Sequence, residues 1–137
     1  MQLHNSSQYA IRILSYIAKD EDEHLCSAKE LSTILKIPYK FLTKIMTELV
    51  KYEFILSIRG REGGYKLAKP ASEITLTQIL DKFNDQIDNQ ECILGIGFCD
   101  SHNKCALHDQ WIEPKNLMQE MFQQTTLDKL INEGSKI

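Results

Sequence analysis

IPYKFLTKIMTELVKYEFILSIRGREGGYKLA, Ile37 to Ala68, changes its hydrophobic period partway along, and that change decides the fold. From Pro38 to about Tyr52 the apolar residues Phe41, Leu42, Ile45, Met46, Leu49 and Val50 recur at helical spacing, so they are expected to face inward. Tyr39, Lys40, Thr43, Lys44, Thr47 and Lys51 then face outward. Pro38 can open this helix, because the N–H it lacks has no partner in a first turn. Two short runs rich in strand-favouring residues follow, Phe54–Ile58 and Tyr65–Ala68. Between them Arg59-Gly60-Arg61-Glu62-Gly63-Gly64 supplies the glycines of a hairpin tip. The stretch lacks the Gly-Lys-Ser/Thr ending of a phosphate cradle, and no helix opens after it, so a nucleotide site is not expected.

Upstream, Ser27-Ala28-Lys29-Glu30 reads as a capping box opening a short helix with Leu31, Ile34 and Leu35 on its apolar side. Before it, Tyr9, Ala10, Ile13, Leu14 and Ile17 mark a first amphipathic helix over residues 7–19, capped by Asn5, Ser6 or Ser7. Two helices joined by a tight turn, a basic outer face on the second, and a hairpin make a helix-turn-helix with a wing. Downstream, Leu76, Ile79, Leu80 and Phe83 predict a helix over 75–83, and Asn84–Gln90 reads as a polar linker. Leu117, Met118, Met121 and Phe122 predict an amphipathic segment over 114–124, whose nearest core can belong to a second copy of the chain. Pro114 is expected to start or kink that helix, leaving Cys105–Ile112 as a separate turn. The fold class is therefore mainly α with a small β-hairpin wing. Residues 1–83 form a winged helix-turn-helix domain; residues 84–137 carry a cysteine-rich loop and a C-terminal dimerisation helix.

A chain of 137 residues with 42% hydrophobic content can build one real core. Its net charge of −3 hides an asymmetry. Residues 36–69 hold eight basic side chains against three acidic ones, while residues 71–137 hold five against eleven. A basic working surface joined to an acidic part with another task suits a nucleic-acid binder. Tyr39, Lys40, Thr43 and Lys44 are placed to reach the major groove, and Arg59 and Arg61 on the wing to reach phosphates or a narrow minor groove. No signal peptide or membrane span is expected, and a cytoplasmic location follows most simply.

The segment ECILGIGFCDSHNKCALHDQW, Glu91–Trp111, gathers three of the four cysteines and two of the four histidines. In a reducing compartment such a cluster points to metal ligands or redox-active thiols rather than structural disulfides. The remaining cysteine, Cys26, reads as a small buried apolar residue, His102 as a loop residue, and Trp111 as an anchor in the dimer core.

Taken together, MQL…YAIRIL, IPYKFLTKIM, SIRGREGGYKLAKPASEITL and the cysteine segment ending CALHDQW resemble the Rrf-type winged-helix transcription regulators of the IscR/NsrR-like iron–sulfur branch. The resemblance covers nearly the whole chain. It implies a homodimer paired through a long helix after the cysteine loop, binding double-stranded operator DNA, most simply as a repressor, and sensing redox state, nitric oxide or iron supply. It also implies one iron–sulfur cluster per subunit, with Cys92, Cys99 and Cys105 as ligands. His108 matches the fourth ligand of a 2Fe–2S cluster, which is the favoured type. A 4Fe–4S cluster drawing its fourth ligand from the partner's N-terminal region would find Gln8 there, a poor anionic donor. The donor chemistry agrees, since clusters take thiolates and an imidazole ligand raises the potential. Zinc is the main alternative, because three thiolates and one imidazole make a tetrahedral site. Short Cys-x-x-Cys knuckles are absent, however, and Gly95, Ile96, Gly97 and Phe98 leave an open apolar approach. A thiol-only switch is the other alternative. A cysteine-dependent enzyme is not expected, because no group is recognisably placed to orient His108 as a base.

Overall fold

Residues 2–20, 24–85, 90–131 and 136 are described in a computed structural model of the chain. Residues 86–89 of the expected polar linker lie outside them. Helix α1 spans Asn5–Lys19 and buries Ala10, Ile13, Leu14 and Ile17. It starts two residues before the expected 7–19, and its N-cap is His4, without a side-chain cap. The main-chain N–H of His4 instead donates to the Asp85 carboxylate (2.7 Å), tying the start of α1 to the segment that follows α4 (Leu76–Lys82).

Helices α2 (Ala28–Leu35) and α3 (Tyr39–Lys51) form the helix-turn-helix. Ser27 Oγ accepts from the Glu30 N–H at 3.1 Å, one half of the anticipated capping box. The Glu30 side chain turns instead to His24, 3.4 Å away. The turn is held from three directions. Lys36 sits in the left-handed region at φ 53°, Ser32 Oγ donates to the Ile37 carbonyl (2.7 Å), and the Arg12 guanidinium donates to the Leu35 carbonyl. A half-buried cation at the C-terminal end of α2 also complements that helix's dipole. Arg12→Met keeps the apolar stem and removes the bond, so it is expected to cost about 1 to 2 kcal/mol. Urea unfolding with an unchanged slope and a lower midpoint checks this.

Helix α3 buries Leu42, Ile45, Met46 and Leu49, a narrow stripe at i, i+3, i+4 and i+7. Phe41 (53% exposed) and Val50 (36%) have the spacing of inward residues but fall at the margins of that stripe, as Ile34 (47%) does on α2. Strands β1 (Ile55–Ile58) and β2 (Gly64–Leu67) pair antiparallel, with Ile58 opposite Gly64. Gly63 is required at the tip, because a Cβ there would lie 2.2 Å from the Ile58 carbonyl oxygen. Cys26 exchanges both main-chain hydrogen bonds with Tyr65, at 3.1 and 2.8 Å, so it pins the wing to the body as well as filling the core. Its burial pushes the thiol up to about 11.

Helix α4 carries a complete capping box, formed by Thr75 and Gln78. Helix α5 runs from His108 to Gln124 with Pro114 inside it, so it does not begin at the proline. The expected break at Pro114 is absent: residues 108–112 belong to the helix, and only Cys105–Leu107 precede it. Gln110, whose carbonyl loses a helical partner to the proline, is exposed, so water can satisfy it. A further short helix, α6 (Leu127–Leu130), packs on α1, and Leu127 enters the core. Main-chain bonds from Leu76 to Thr125 and from Leu127 to Ile74, both 2.9 Å, hold it there.

Candidate DNA-binding surface and cysteine centre

The basic surface is assembled from α3 and the wing. Tyr39 (56% exposed) and Lys40 stand on the outer face of α3 near its start, and Thr43 follows one turn later, its Oγ1 donating to the Lys40 carbonyl (3.1 Å). Lys44 is exposed at the flank of α3 beside α1, on the border of a cleft rather than at the centre of the outer face. Arg59 and Arg61 are exposed at the hairpin tip, and Lys66 on β2 adds an exposed cation outside the predicted set. Its alternation with the inward-leaning Tyr65 and Leu67 is the signal that could have found it. Arg12 also lies outside the predicted set, although a charge set between Ile11 and Ile13 on an apolar helix marks it.

The cysteine centre lies between α4 and α5. Gly95 (φ 72°) and Gly97 (φ 62°) adopt left-handed conformations in open space, so glycine is needed there for backbone freedom rather than for room. They let the chain double back. The Gly95 N–H reaches the Cys92 carbonyl (2.8 Å), and the Cys92 N–H reaches the Gly97 carbonyl (2.9 Å). Glu91 pairs with Phe98, and Cys99 donates its N–H to the Gln90 carbonyl.

The hairpin, the segment after it and the start of α5 place the four predicted donors in two pairs. Cys92, buried, shares a side-chain hydrogen bond with Cys105, and Cys99 Sγ lies 3.5 Å from His108 Nδ1. The His108 ring is buried at the start of α5, and its main-chain N–H bonds the Cys105 carbonyl at 3.1 Å, coupling the two pairs through the backbone. Hydrogen bonds from the main chain at Leu94 and Ile96, then from Cys105, hold the Cys92 thiol below its ordinary range, against the opposing effect of burial. That favours the thiolate, the form that binds metals and attacks electrophiles. Among the described residues, no three His, Cys, Asp or Glu side chains are gathered tightly enough for a single metal ion. His102 stays outside the centre, exposed, its N–H on Asp100 Oδ1 (2.8 Å). Lys104 and Asp109 form an exposed ion pair at 2.7 Å that fastens the loop to the first turn of α5. A hydrogen bond from Lys104 holds the Asp109 carboxyl below its usual range.

No described helix is long and apolar enough to cross a membrane. The family model of Rrf2, described as an iron-dependent transcriptional regulator, matches residues 3–133. The chain is 30% identical over 138 residues to the transcriptional regulator NsrR of Oceanobacillus iheyensis, covering all of this chain and 94% of that one. It is 36% identical over 108 residues to NsrR of Halalkalibacterium halodurans, covering 79% of this chain and 70% of the other. Among solved structures it is similar to CymR, the global cysteine regulator of B. subtilis, with a TM-score of 0.81, 23% identity and 96% of each chain covered.

Proposed function

The chain belongs to the Rrf2 family of winged-helix, DNA-binding transcription regulators, and from that premise we propose that it reads an iron–sulfur cluster held by Cys92, Cys99, Cys105 and His108. Its relatives are regulators rather than enzymes. The observation that carries the proposal is the placing of these four side chains in two pairs, on the glycine-turned loop and the first turn of α5, with Cys92 biased toward thiolate. Three thiols and one imidazole are the donor set of a 2Fe–2S cluster with a single histidine ligand. When bound, such a cluster supplies a redox-labile group whose loss frees the loop.

The loop is continuous with α5, which packs on α4. The α4 end reaches α3 through the edge contact of Phe83 with Tyr52, ring centroids 5.8 Å apart. A change in the loop therefore has a packed route to the recognition helix. Residues 1–83 serve as the DNA-binding unit, and α5 serves as the pairing helix of a homodimer. Leu117 (60% exposed) and Met121 (51%), one turn apart, present an apolar face for that pairing. The dimer reads two-fold symmetric operator DNA and acts as a repressor.

The contact between Cys92 and Cys105 favours a second reading, a thiol switch without a cluster. There the two thiols lose two protons and two electrons to an oxidant such as a peroxide and form a disulfide. Protein prepared without oxygen separates the readings by its visible spectrum and its iron and acid-labile sulfide content. The histidine is tested directly. His108→Cys is expected to keep the colour at a lower reduction potential, because thiolate donates more charge than imidazole, whereas His108→Ala is expected to lose cluster stability. An unchanged spectrum and potential in His108→Ala removes it from the ligand set.

A further inference from the structure

A cleft of about 300 Å³ opens between the first turn of α1, the flank of α3 and the end of α4. That volume is at the lower end of the range for small-molecule sites. Its lining includes four aromatic rings: Tyr9 from α1, Phe41 from α3, and Tyr52 and Phe83, the C-caps of α3 and α4. Phe41 is more than half exposed there although it sits on the recognition helix. Two exposed lysines, Lys44 and Lys82, also line the cleft, and neither makes an ion pair among the described residues. The Lys82 ammonium instead stands over the Tyr52 ring, 5.7 Å from its centroid. Glu48 adds one carboxylate to the lining.

We propose that this cleft binds a small planar aromatic carboxylate as an effector. The rings supply stacking and edge contacts for a flat apolar body, which water solvates poorly. The two lysines supply charge-assisted hydrogen bonds for one carboxylate. Glu48 can accept a hydrogen bond from a ring-borne hydroxyl or N–H. The observations favour this ligand over a DNA phosphate, which has a use for the lysines but none for four aromatic rings. The site bears directly on regulation, because Lys44 belongs both to this cleft and to the basic surface of α3. A bound carboxylate that engages Lys44 withdraws it from DNA. The cleft shares no residue with the 90–108 loop, so ligand binding there is measured apart from the state of the cysteine centre.

The test is calorimetric titration of the full-length protein with indole-3-acetate, and with indole-3-acetamide as its uncharged counterpart. The expected result is saturable binding of one acid per chain, with the amide about tenfold weaker, the worth of one charge-assisted hydrogen bond. Lys82→Gln and Phe41→Ala, both at exposed positions, are each expected to weaken the acid by about tenfold as well. Phe98→Ser, which removes an exposed aromatic ring outside the cleft, is expected to leave binding unchanged. Equal binding of acid and amide, or binding lost in Phe98→Ser but kept in Lys82→Gln and Phe41→Ala, overturns the proposal. So does the absence of saturation at millimolar acid. Displacement by inorganic phosphate, with indole-3-acetate binding no tighter than acetate, also overturns it and identifies a seat for the DNA backbone.

Discussion

Cys99→Ala is expected to bleach protein prepared without oxygen and to remove its acid-labile sulfide, and Cys92→Ala and Cys105→Ala are expected to do the same. Cys26→Ala is expected to keep the colour. The contrast follows from placement. Cys26 is fully buried in the core of the winged helix, engaged with Tyr65 through its main chain, and burial holds its thiol protonated near neutral pH. The other three share one loop with His108, and Cys92 is biased the opposite way. In the proposed site each of the three thiolates anchors the cluster, so removing any one is expected to lose the whole group. The effect is therefore close to all-or-none rather than graded. Wild-type protein that is colourless and holds one zinc per chain would sink the cluster assignment. Colourless protein without zinc, in which mild peroxide joins Cys92 to Cys105, would establish the thiol switch instead.

The helix-turn-helix and wing are legible in the sequence because each rests on local rules. The stripe Leu42, Ile45, Met46, Leu49 needs only helical spacing, and the hairpin needs glycine at the tip, where Gly63 lies against the carbonyl of Ile58. What the sequence hides depends on contacts between distant segments. Cys26 looks like any small apolar residue until Tyr65 pairs with it, and a helix as short as Leu127–Leu130 carries too few residues to show a period. Phe41 has the spacing of a core residue, but the body of the protein stops short of it and leaves a cleft. Pro114 is tolerated inside α5 because the carbonyl it deprives, that of Gln110, is exposed, a placement that the sequence alone does not reveal. In the cysteine centre, composition marks the segment, and the resemblance to the Rrf-type regulators singles out the four donors. Their pairing, Cys92 with Cys105 and Cys99 with His108, depends on two left-handed glycines and the start of α5, which no spacing rule supplies.

The wing and the recognition helix are expected to fail in different ways when altered. Arg59 and Arg61 project from the hairpin tip into solvent, where they can meet phosphates of any sequence. Replacing either with alanine is expected to lower affinity for operator and scrambled duplexes alike, and to reduce the salt slope by about 0.9 for each phosphate no longer neutralised. In a two-fold dimer each substitution acts twice. Thr43→Ala, on the outer face of α3, is expected to change base preference at one half-site position, at a cost of about 1 to 3 kcal/mol if it reads a base directly. The operator itself should be two-fold symmetric, with half-sites about 34 Å apart. Gly63→Val is expected to have the largest effect on DNA binding. Its Cβ would press on the Ile58 carbonyl, a backbone atom that cannot swing aside, so the hairpin must reshape and both arginines lose their placement together. Binding by that variant should fall on every duplex and become less salt-dependent, while a thermal melt shows the helical body still folded. Binding curves at several salt concentrations decide the matter. If Gly63→Val, Arg59→Ala and Arg61→Ala all kept the wild-type affinity and slope, the wing would be an exposed basic hairpin with no part in holding DNA.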